Sequence, residues 1–157
     1  MSVERNKAIA RRVFEDAFAG GDLAVLDETL ADDTRDRQHP DEPSFRVHLK
    51  AVVTAMREAF PDLRWEINQM VGEGEWVALH SFMIGTHNGN LGPPLSPRVI
   101  APTGRPVRVA HLHMIRFGPE SELLHVMDTL GMLLQLGVFP GAPAPTGAPD
   151  QGGDPRP

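Results

Sequence analysis

The stretch AFPDLRWEIN, residues 59–68, contains a change in the spacing of the apolar side chains. Before it, apolar residues recur every three or four positions, as they do along one face of a helix. Pro61 ends this pattern, because the residue before a proline is pushed out of the helical region. After it, Leu63, Trp65 and Ile67 alternate with polar residues, which is typical of a half-buried strand. The chain is therefore predicted to be mostly helical before Pro61 and to form strands after it.

Three helices are predicted in the N-terminal part. The first begins after the capping residue Ser2, the second is capped by Asp22, and the third covers residues 45–60. A polar segment, residues 31–43, separates the second helix from the third and is predicted to be a loop. Each helix carries its apolar side chains on one side, so each needs a partner surface to cover that side.

Four strands and a short closing helix are predicted in the C-terminal part. A run of helices followed by a run of antiparallel strands indicates an α+β domain. The helices are the only elements that can cover the sheet. A curved sheet wrapped around them forms a cone with one open mouth, which is a natural ligand site. The predicted strands cover residues 63–68, 76–87, 107–117 and 123–128, and the closing helix covers residues 130–136.

The composition indicates one globular domain. Of the 157 residues, 41% are hydrophobic and 23% are charged, which are ordinary values for a folded domain. Residues 1–140 are assigned to this domain. Residues 141–157 consist almost wholly of Gly, Pro, Ala and polar residues, and they are predicted to form a disordered tail because burial cannot offset their ordering entropy.

Composition also excludes several classes of function. The net charge of −6 and the scattered arginines disfavour binding to nucleic acid. The chain has no cysteine, which excludes disulfides, thiolate metal sites and cysteine nucleophiles, and no tyrosine, which excludes a phenol as the acid or oxyanion donor. It shows neither a signal peptide nor the run of about 20 apolar residues that a membrane span needs. We therefore expect a cytoplasmic protein without membrane contact.

Four segments of the chain resemble those of a known family. Their order and spacing are similar to those of the SnoaL-like polyketide cyclases and ester cyclases, and the resemblance extends from about residue 6 to residue 137. This family has the cone fold of ketosteroid isomerase. Residues 91–101 look longer than the corresponding segment of the family. The four segments are AFPDL at residues 59–63, GTHNG at residues 85–89, PTGRPV at residues 102–107 and DTLGMLLQLG at residues 128–137.

The resemblance implies a function. The family's activity is an intramolecular aldol-type ring closure of a small, apolar, polyketide-like substrate, catalysed by acid–base chemistry without a metal or organic cofactor in a homodimer. Related chemistry on the same scaffold includes epoxide opening, hydration and isomerisation, and these remain open for this chain because a fold does not specify a function. A non-catalytic module that binds an apolar small molecule is the other alternative.

Asp128 is the first candidate for the proton shuttle. Two-residue periodicity places it on one face of the last strand together with Leu124 and Val126. If that face is the inner one, poor solvation raises the pKa of the carboxyl and makes it a usable acid and base near neutral pH. The alternative is that Asp128 caps the closing helix, a role that aspartate performs well.

Histidines supply the other candidates. His111 and His113 share one face of the third strand with apolar β-branched residues, where they can orient a carbonyl group or satisfy each other in the core. His39 lies in the loop before Pro40 and either reaches the cavity or is solvated. A metal held by His111 and His113 with Asp128 or His39 is the weaker alternative, because no further ligand spacing supports it, and no metal is predicted.

Two further assignments concern the ends and walls of the cone. His87, within GTHNG, is expected to stabilise the end of its strand rather than to act in catalysis. The side chains expected to contact the substrate are Phe14, Phe18, Met56, Trp65, Met83 and Leu124.

Overall fold

A computed structural model describes residues 2–139 of the chain, and the predicted tail lies outside these residues. Helices and strands follow the order that the apolar spacing predicts, with one additional short strand. In chain order they are α1 (Val3–Arg12), a π-helix (Val13–Ala19), α2 (Ala24–Thr29), β1 (Arg35–Asp36), α3 (Phe45–Ala59), β2 (Arg64–Glu73), β3 (Trp76–Thr86), β4 (Pro106–Arg116), β5 (Glu122–Met127) and α4 (Thr129–Leu136).

The strands form one curved, mixed sheet in the order β1-β5-β4-β3-β2. β1 runs parallel to β5, and the other neighbours are antiparallel. β3 and β4 alternate between buried and more exposed residues along most of their length, because one sheet face packs against the helices. The predicted α+β fold, with helices packed into a curved and mostly antiparallel sheet, is confirmed.

Ser2 caps α1 as predicted, whereas the capping position of α2 is Leu23 and the predicted cap, Asp22, binds the first N–H of α2 from one residue earlier. The Arg5 backbone N–H donates to the Ser2 hydroxyl (3.3 Å), and the Ala24 N–H donates to the Asp22 carboxylate (3.0 Å). Each bond satisfies an N–H that has no partner within its own helix. The third helix ends at Ala59, just before Phe60 and Pro61, in agreement with the effect of the proline.

The main core lies between the helices and the inner face of the sheet. Phe14 and Phe18 of the π-helix pack against Trp65 of β2, with ring centroids 5.2 and 5.0 Å from the indole. Val53 of α3 and Val109 of β4 are completely buried beside them. Burial of these side chains is the main force that holds the helices on the sheet. Within residues 2–139, no helix is long and apolar enough to cross a membrane.

Candidate active site

A cavity of about 240 Å³ lies between the helices and the inner face of the sheet. Its wall is mostly apolar and is built from α1, the π-helix, α3 and the strands β1, β2, β4 and β5, together with parts of the connecting segments. Four of the six side chains predicted to contact the substrate line it, namely Phe14, Phe18, Met56 and Trp65.

Met83 and Leu124 were expected in this wall, and both positions are corrected by the structure. Met83 is buried in the core and does not line the cavity. Leu124 lies opposite Met114 in the β4–β5 pairing, and both side chains point to the outer face of the sheet. Directly opposed residues of an antiparallel pair share a face, so the outward direction of Met114 determines that of Leu124.

Three imidazoles form a row along the sheet side of the cavity. His111 and His113 of β4 face inward as predicted, and their parallel rings lie 5.5 Å apart between centroids. His125 of β5 is directly opposite His113 in the strand pairing, with ring centroids 6.0 Å apart. The indole of Trp65 lies edge-on to His111 at 4.9 Å. We call His111, His113 and His125 the imidazole row.

Burial keeps the imidazole row neutral. It lowers the pKa of His111 to about 4, with a smaller contribution from the neighbouring His125. It lowers the pKa of His113 well below the ordinary value, with the other two rings adding to the effect. Burial also lowers the pKa of His125, but the negative charge of Asp36 opposes this shift. His125 is therefore the member of the row whose surroundings contain a charge that favours the protonated form.

Two acid–imidazole pairs lie where the segment between β1 and α3 meets the cavity. The buried carboxylate of Asp36 is 2.9 Å from Nδ1 of His39, and the carboxylate of Glu42 is 3.3 Å from Nδ1 of His48. The two rings are 5.0 Å apart. Both histidines line the cavity, so the expectation that His39 reaches it agrees with the structure. The ring of His39 lies 6.5 Å from that of His125, which connects this edge of the cavity to the imidazole row.

Several polar atoms of the wall have no hydrogen-bond partner within the part of the chain that the structure describes. Buried polar atoms are nearly always paired in folded proteins, so each exception needs an explanation. The four atoms all belong to residues that line one cavity. They are Nε2 of His111, Nδ1 of His113, Nδ1 of His125 and Nε1 of Trp65.

Asp128 lies elsewhere. Its side chain is exposed, does not line the cavity, and accepts a hydrogen bond from the Gly131 backbone N–H (2.8 Å) at the start of α4. The prediction that Asp128 is on an inward, apolar face is wrong, because Leu124 and Val126 lie on the outer face of β5 and the strand ends at Met127, before Asp128. The geometry is that of the alternative considered for this residue, a helix cap.

Four ionisable residues of the cavity were missed by the sequence analysis: Asp36, His48, Glu122 and His125. β5 is apolar in both parities, Leu123 and Met127 on one face and Leu124 and Val126 on the other, so its alternation gave no signal for the inner face. Asp36 belongs to a segment predicted to be a loop, and only its pairing with β5 buries it. Within residues 2–139, no group of three or more His, Asp or Glu side chains could hold a metal ion.

Comparison with solved structures gives similar folds. TsrD from Streptomyces laurentii superposes with a TM-score of 0.76 at 20% identity, over 88% of this chain and 99% of TsrD. AclR from Streptomyces galilaeus, a candidate hydroxylase, gives 0.71 at 24% identity, over 88% and 89% of the two chains. IdmH from Streptomyces antibioticus, a candidate polyketide cyclase, gives 0.67 at 27% identity, over 85% and 99%.

Sequence comparison identifies the family. No curated protein sequence matches the chain at a significant level. The sequence profile described as SnoaL-like polyketide cyclase matches residues 8–136, which include all but the first residues of α1 and the whole of the cavity wall described above. The resemblance seen in the four sequence segments is therefore confirmed, and the protein belongs to the SnoaL-like polyketide cyclase family.

Proposed function

We propose that the protein catalyses an acid–base ring closure of an uncharged, polyketide-like substrate, with His125 as the proton shuttle. The observation that carries this proposal is the imidazole row, whose unpartnered nitrogens belong to residues lining an apolar cavity. Neutral imidazoles can accept a proton, and an enclosed site holds one folded conformer of the substrate close to the geometry of attack.

The lining residues favour an uncharged substrate. They include two carboxylates, Asp36 and Glu122, and neither lysine nor arginine is among those within the described part of the chain. An anionic substrate would therefore meet negative charge with no cation to compensate for its loss of hydration. An ester fits these conditions better than the corresponding free acid.

The reaction proceeds in two proton transfers and one bond formation. The neutral His125 imidazole removes a proton from a carbon between two carbonyl groups, which leaves an enolate and an imidazolium. The enolate carbon attacks a ketone of the same molecule and forms the new carbon–carbon bond, and the ketone oxygen becomes an alkoxide. The imidazolium returns the proton to this alkoxide, so the product is an isomer of the substrate and no cofactor is consumed.

Neighbouring residues support each step. The charge of Asp36 stabilises the imidazolium form of His125, which is the intermediate state of the shuttle. His111 and His113 stay neutral and can each offer an N–H to a substrate oxygen on which negative charge develops. Such hydrogen bonds are strongest in apolar surroundings, and here the rings of Phe14 and Trp65 pack against the two imidazoles.

The test compares His125→Gln with Asp128→Asn. With an aromatic ketone that carries a β-keto ester side chain within reach of the ketone, wild-type protein should form a cyclic aldol product of unchanged mass. We expect His125→Gln to lower kcat by about 100-fold or more, because glutamine keeps the hydrogen-bonding capacity but does not titrate. Asp128→Asn should keep its rate, because asparagine caps a helix as well as aspartate does.

Other results would change the assignment. A His125→Gln protein with an undiminished rate would remove His125 from the mechanism, and a rate lost in Asp128→Asn would restore the role predicted for that residue from sequence. Circular dichroism and binding of an aromatic probe establish that each variant is folded. Binding without turnover of any ester, epoxide or enone would favour the non-catalytic binding module.

We also propose that the protein is a cytoplasmic homodimer. Four apolar side chains, Leu112, Met114, Leu124 and Val126, form two directly opposed pairs on the outer face of β4 and β5 and are exposed in the single chain. Contiguous apolar groups on a surface favour association, and a second copy of the chain presents a matching row.

A further inference from the structure

We propose that the tip of the segment between β3 and β4, residues 92–99, sets the size of the ligand that the cavity accepts, and that Leu95 is the residue through which it does so. The proposal deepens the proposed function and rests on one part of it, namely that the cavity binds the substrate. We call residues 92–99 the tip.

The base of the segment is firmly attached to the domain. The His87 backbone N–H donates to the Arg105 carbonyl (2.9 Å), and the N–H groups of Thr103 and Gly104 donate to the His87 carbonyl (3.2 and 2.9 Å). The His87 ring is completely buried, and its Nδ1 accepts from the Thr103 N–H (3.2 Å). His87 therefore stabilises the end of its strand, as expected from the sequence, and joins the two ends of the segment.

Helix α3 holds the same base from the other side. The N–H groups of Asn88 and Gly89 both donate to the Ala59 carbonyl (3.1 and 3.0 Å). The approach is so close that a Cβ on Gly89 would lie 1.9 Å from the Glu58 carbonyl oxygen. A second rung follows, in which Leu91 and Ile100 exchange backbone hydrogen bonds of 3.0 and 2.8 Å. The direction in which the tip leaves this base is thereby determined.

The tip itself is attached differently. Within residues 2–139, each of its hydrogen bonds joins two of its own residues, for example from the Leu95 N–H to the Gly92 carbonyl (2.9 Å) and from the Ser96 hydroxyl to the Arg98 carbonyl (2.7 Å). Its contact with the domain is made by side chains. Pro94 and Leu95 line the cavity, and Leu95 is partly buried against the main core.

This division of roles makes the tip suited to determine selectivity. The tip carries none of the imidazoles of the cavity, so its residues can change without disturbing the proton shuttle. The hydrogen bonds of the base hold the tip in place. A smaller or larger side chain at position 95 therefore changes the space left for a ligand, because the tip does not shift to compensate. Apolar pockets discriminate ligands by the space they leave, with effects of about tenfold or more for a small change in side-chain volume.

The test measures binding of aromatic probes of increasing size. The probes are 1-naphthol, 1,8-dihydroxyanthraquinone and a hydroxylated naphthacenequinone, which have two, three and four fused rings. Their binding is followed by quenching of Trp65, which lines the cavity, in a Trp76→Phe background that leaves Trp65 as the only tryptophan of the chain. We expect Leu95→Ala to shift the ratio of dissociation constants by about tenfold in favour of the larger probes, and Leu95→Phe, which adds volume without a second indole, to shift it in the opposite direction.

Two further variants distinguish a size effect from general loosening. Leu95→Met conserves the volume and should restore the wild-type ratio. Val99→Ala changes another apolar residue of the same tip, one that is exposed and does not line the cavity, and should leave the ratio unchanged. A ratio that shifts equally in Val99→Ala and Leu95→Ala would show that Leu95 has no specific role, and the proposal would be wrong.

The remaining outcomes are also decisive. If Leu95→Ala gives the same ratio of dissociation constants as the wild type, the proposal is wrong. It is also wrong if neither the wild type nor Leu95→Ala binds any of the probes. Neither result depends on turnover. If Leu95→Ala does not shift the ratio while the wild type catalyses ring closure, only the role of the tip is contradicted. If Leu95→Ala shifts the ratio while His125→Gln keeps its rate, only the proposed function is contradicted.

Discussion

Asp36 is a buried carboxylate of the cavity wall whose charge acts on the proposed proton shuttle. It accepts hydrogen bonds from the Gln38 backbone N–H (2.9 Å) and makes a 2.9 Å contact with Nδ1 of His39, so its position is well defined. Its charge opposes the effect of burial on the pKa of His125. We regard Asp36 as a positioning and tuning residue, because it acts on the proposed shuttle rather than on the substrate.

The first prediction concerns the pH dependence of the rate. Removing the charge in Asp36→Asn lowers the pKa of His125 further, and the shuttle needs the neutral form to begin the reaction. The acidic limb of the kcat/KM profile should therefore move to lower pH. The measurement is a pH–rate profile between pH 4 and 8.

Glu122→Gln is the matched control for this prediction. Glu122 also lines the cavity, but its carboxylate pairs with Arg37 (2.7 Å) and is not among the charges that shift the pKa of His125. Its acidic limb should stay in place. A limb that stays in place in Asp36→Asn as well would show that the carboxylate does not tune the shuttle.

At the scale of the elements, β5 determines which residues the cavity contains. Both of its faces are apolar. Which face turns toward the cavity follows from its pairing with β4, in which His125 lies opposite His113 and Leu124 opposite Met114. A slip of one residue would place Asp128 with the inward set and remove His125 from it, because successive side chains of a strand point to opposite faces. The register of one pair of strands thus decides the chemistry of the site.

The outer face of the same two strands carries the second prediction. Leu112 and Val126 are directly opposed and are 58% and 62% exposed, so burial against a second copy would remove the largest apolar area of this face. A charge placed there would be buried without a partner. We expect Leu112→Glu to convert a dimer into a monomer, as measured by light scattering during gel filtration.

Val47→Glu serves as the control, since Val47 is 68% exposed on α3, away from the sheet. It should leave the mass in solution unchanged. Wild-type protein that elutes with the mass of a single chain at micromolar concentration would contradict the proposed homodimer, whatever the variants do.

For the whole molecule, the buried imidazoles couple stability to pH. The pKa values of His87, His111, His113 and His125 are all lowered by burial in the folded state. The unfolded chain binds protons at higher pH than the folded chain does, so the free energy of unfolding must fall as the pH falls. For His111 the loss runs from the ordinary pKa of 6.5 down to about 4.

The third prediction isolates this effect. Urea unfolding of the wild type should give a lower free energy at pH 5 than at pH 7. In His111→Gln, which cannot titrate, the difference between the two pH values should shrink by about 2 kcal/mol, from the two pKa values of His111 and about 1.4 kcal/mol per unit. Equal slopes in the two proteins would show that His111 is protonated as readily in the folded chain as in the unfolded one.

The elements themselves were predictable from local sequence. Pro61, the cap Ser2 and the apolar alternation of β2 and β4 act on neighbouring residues, so their effects are visible without the fold. The inward direction of His111 and His113 was predictable as well. Both share a face of β4 with Val107 and Val109, whereas the opposite face begins with Pro106 and Arg108. The fold class followed from these features, and the family from the four segments that resemble those of the SnoaL-like cyclases.

The membership of the site was decided by tertiary structure. Asp36 and His125 are far apart in the chain and meet only because β1 pairs with β5, and the inner face of β5 is chosen by its partner β4 rather than by its own residues. Periodicity describes how side chains alternate along one strand, whereas the face that is buried depends on contacts with distant strands. For that reason the sequence alone determined the α+β fold, whereas the assembled sheet decided that His125, and not Asp128, lies in the cavity.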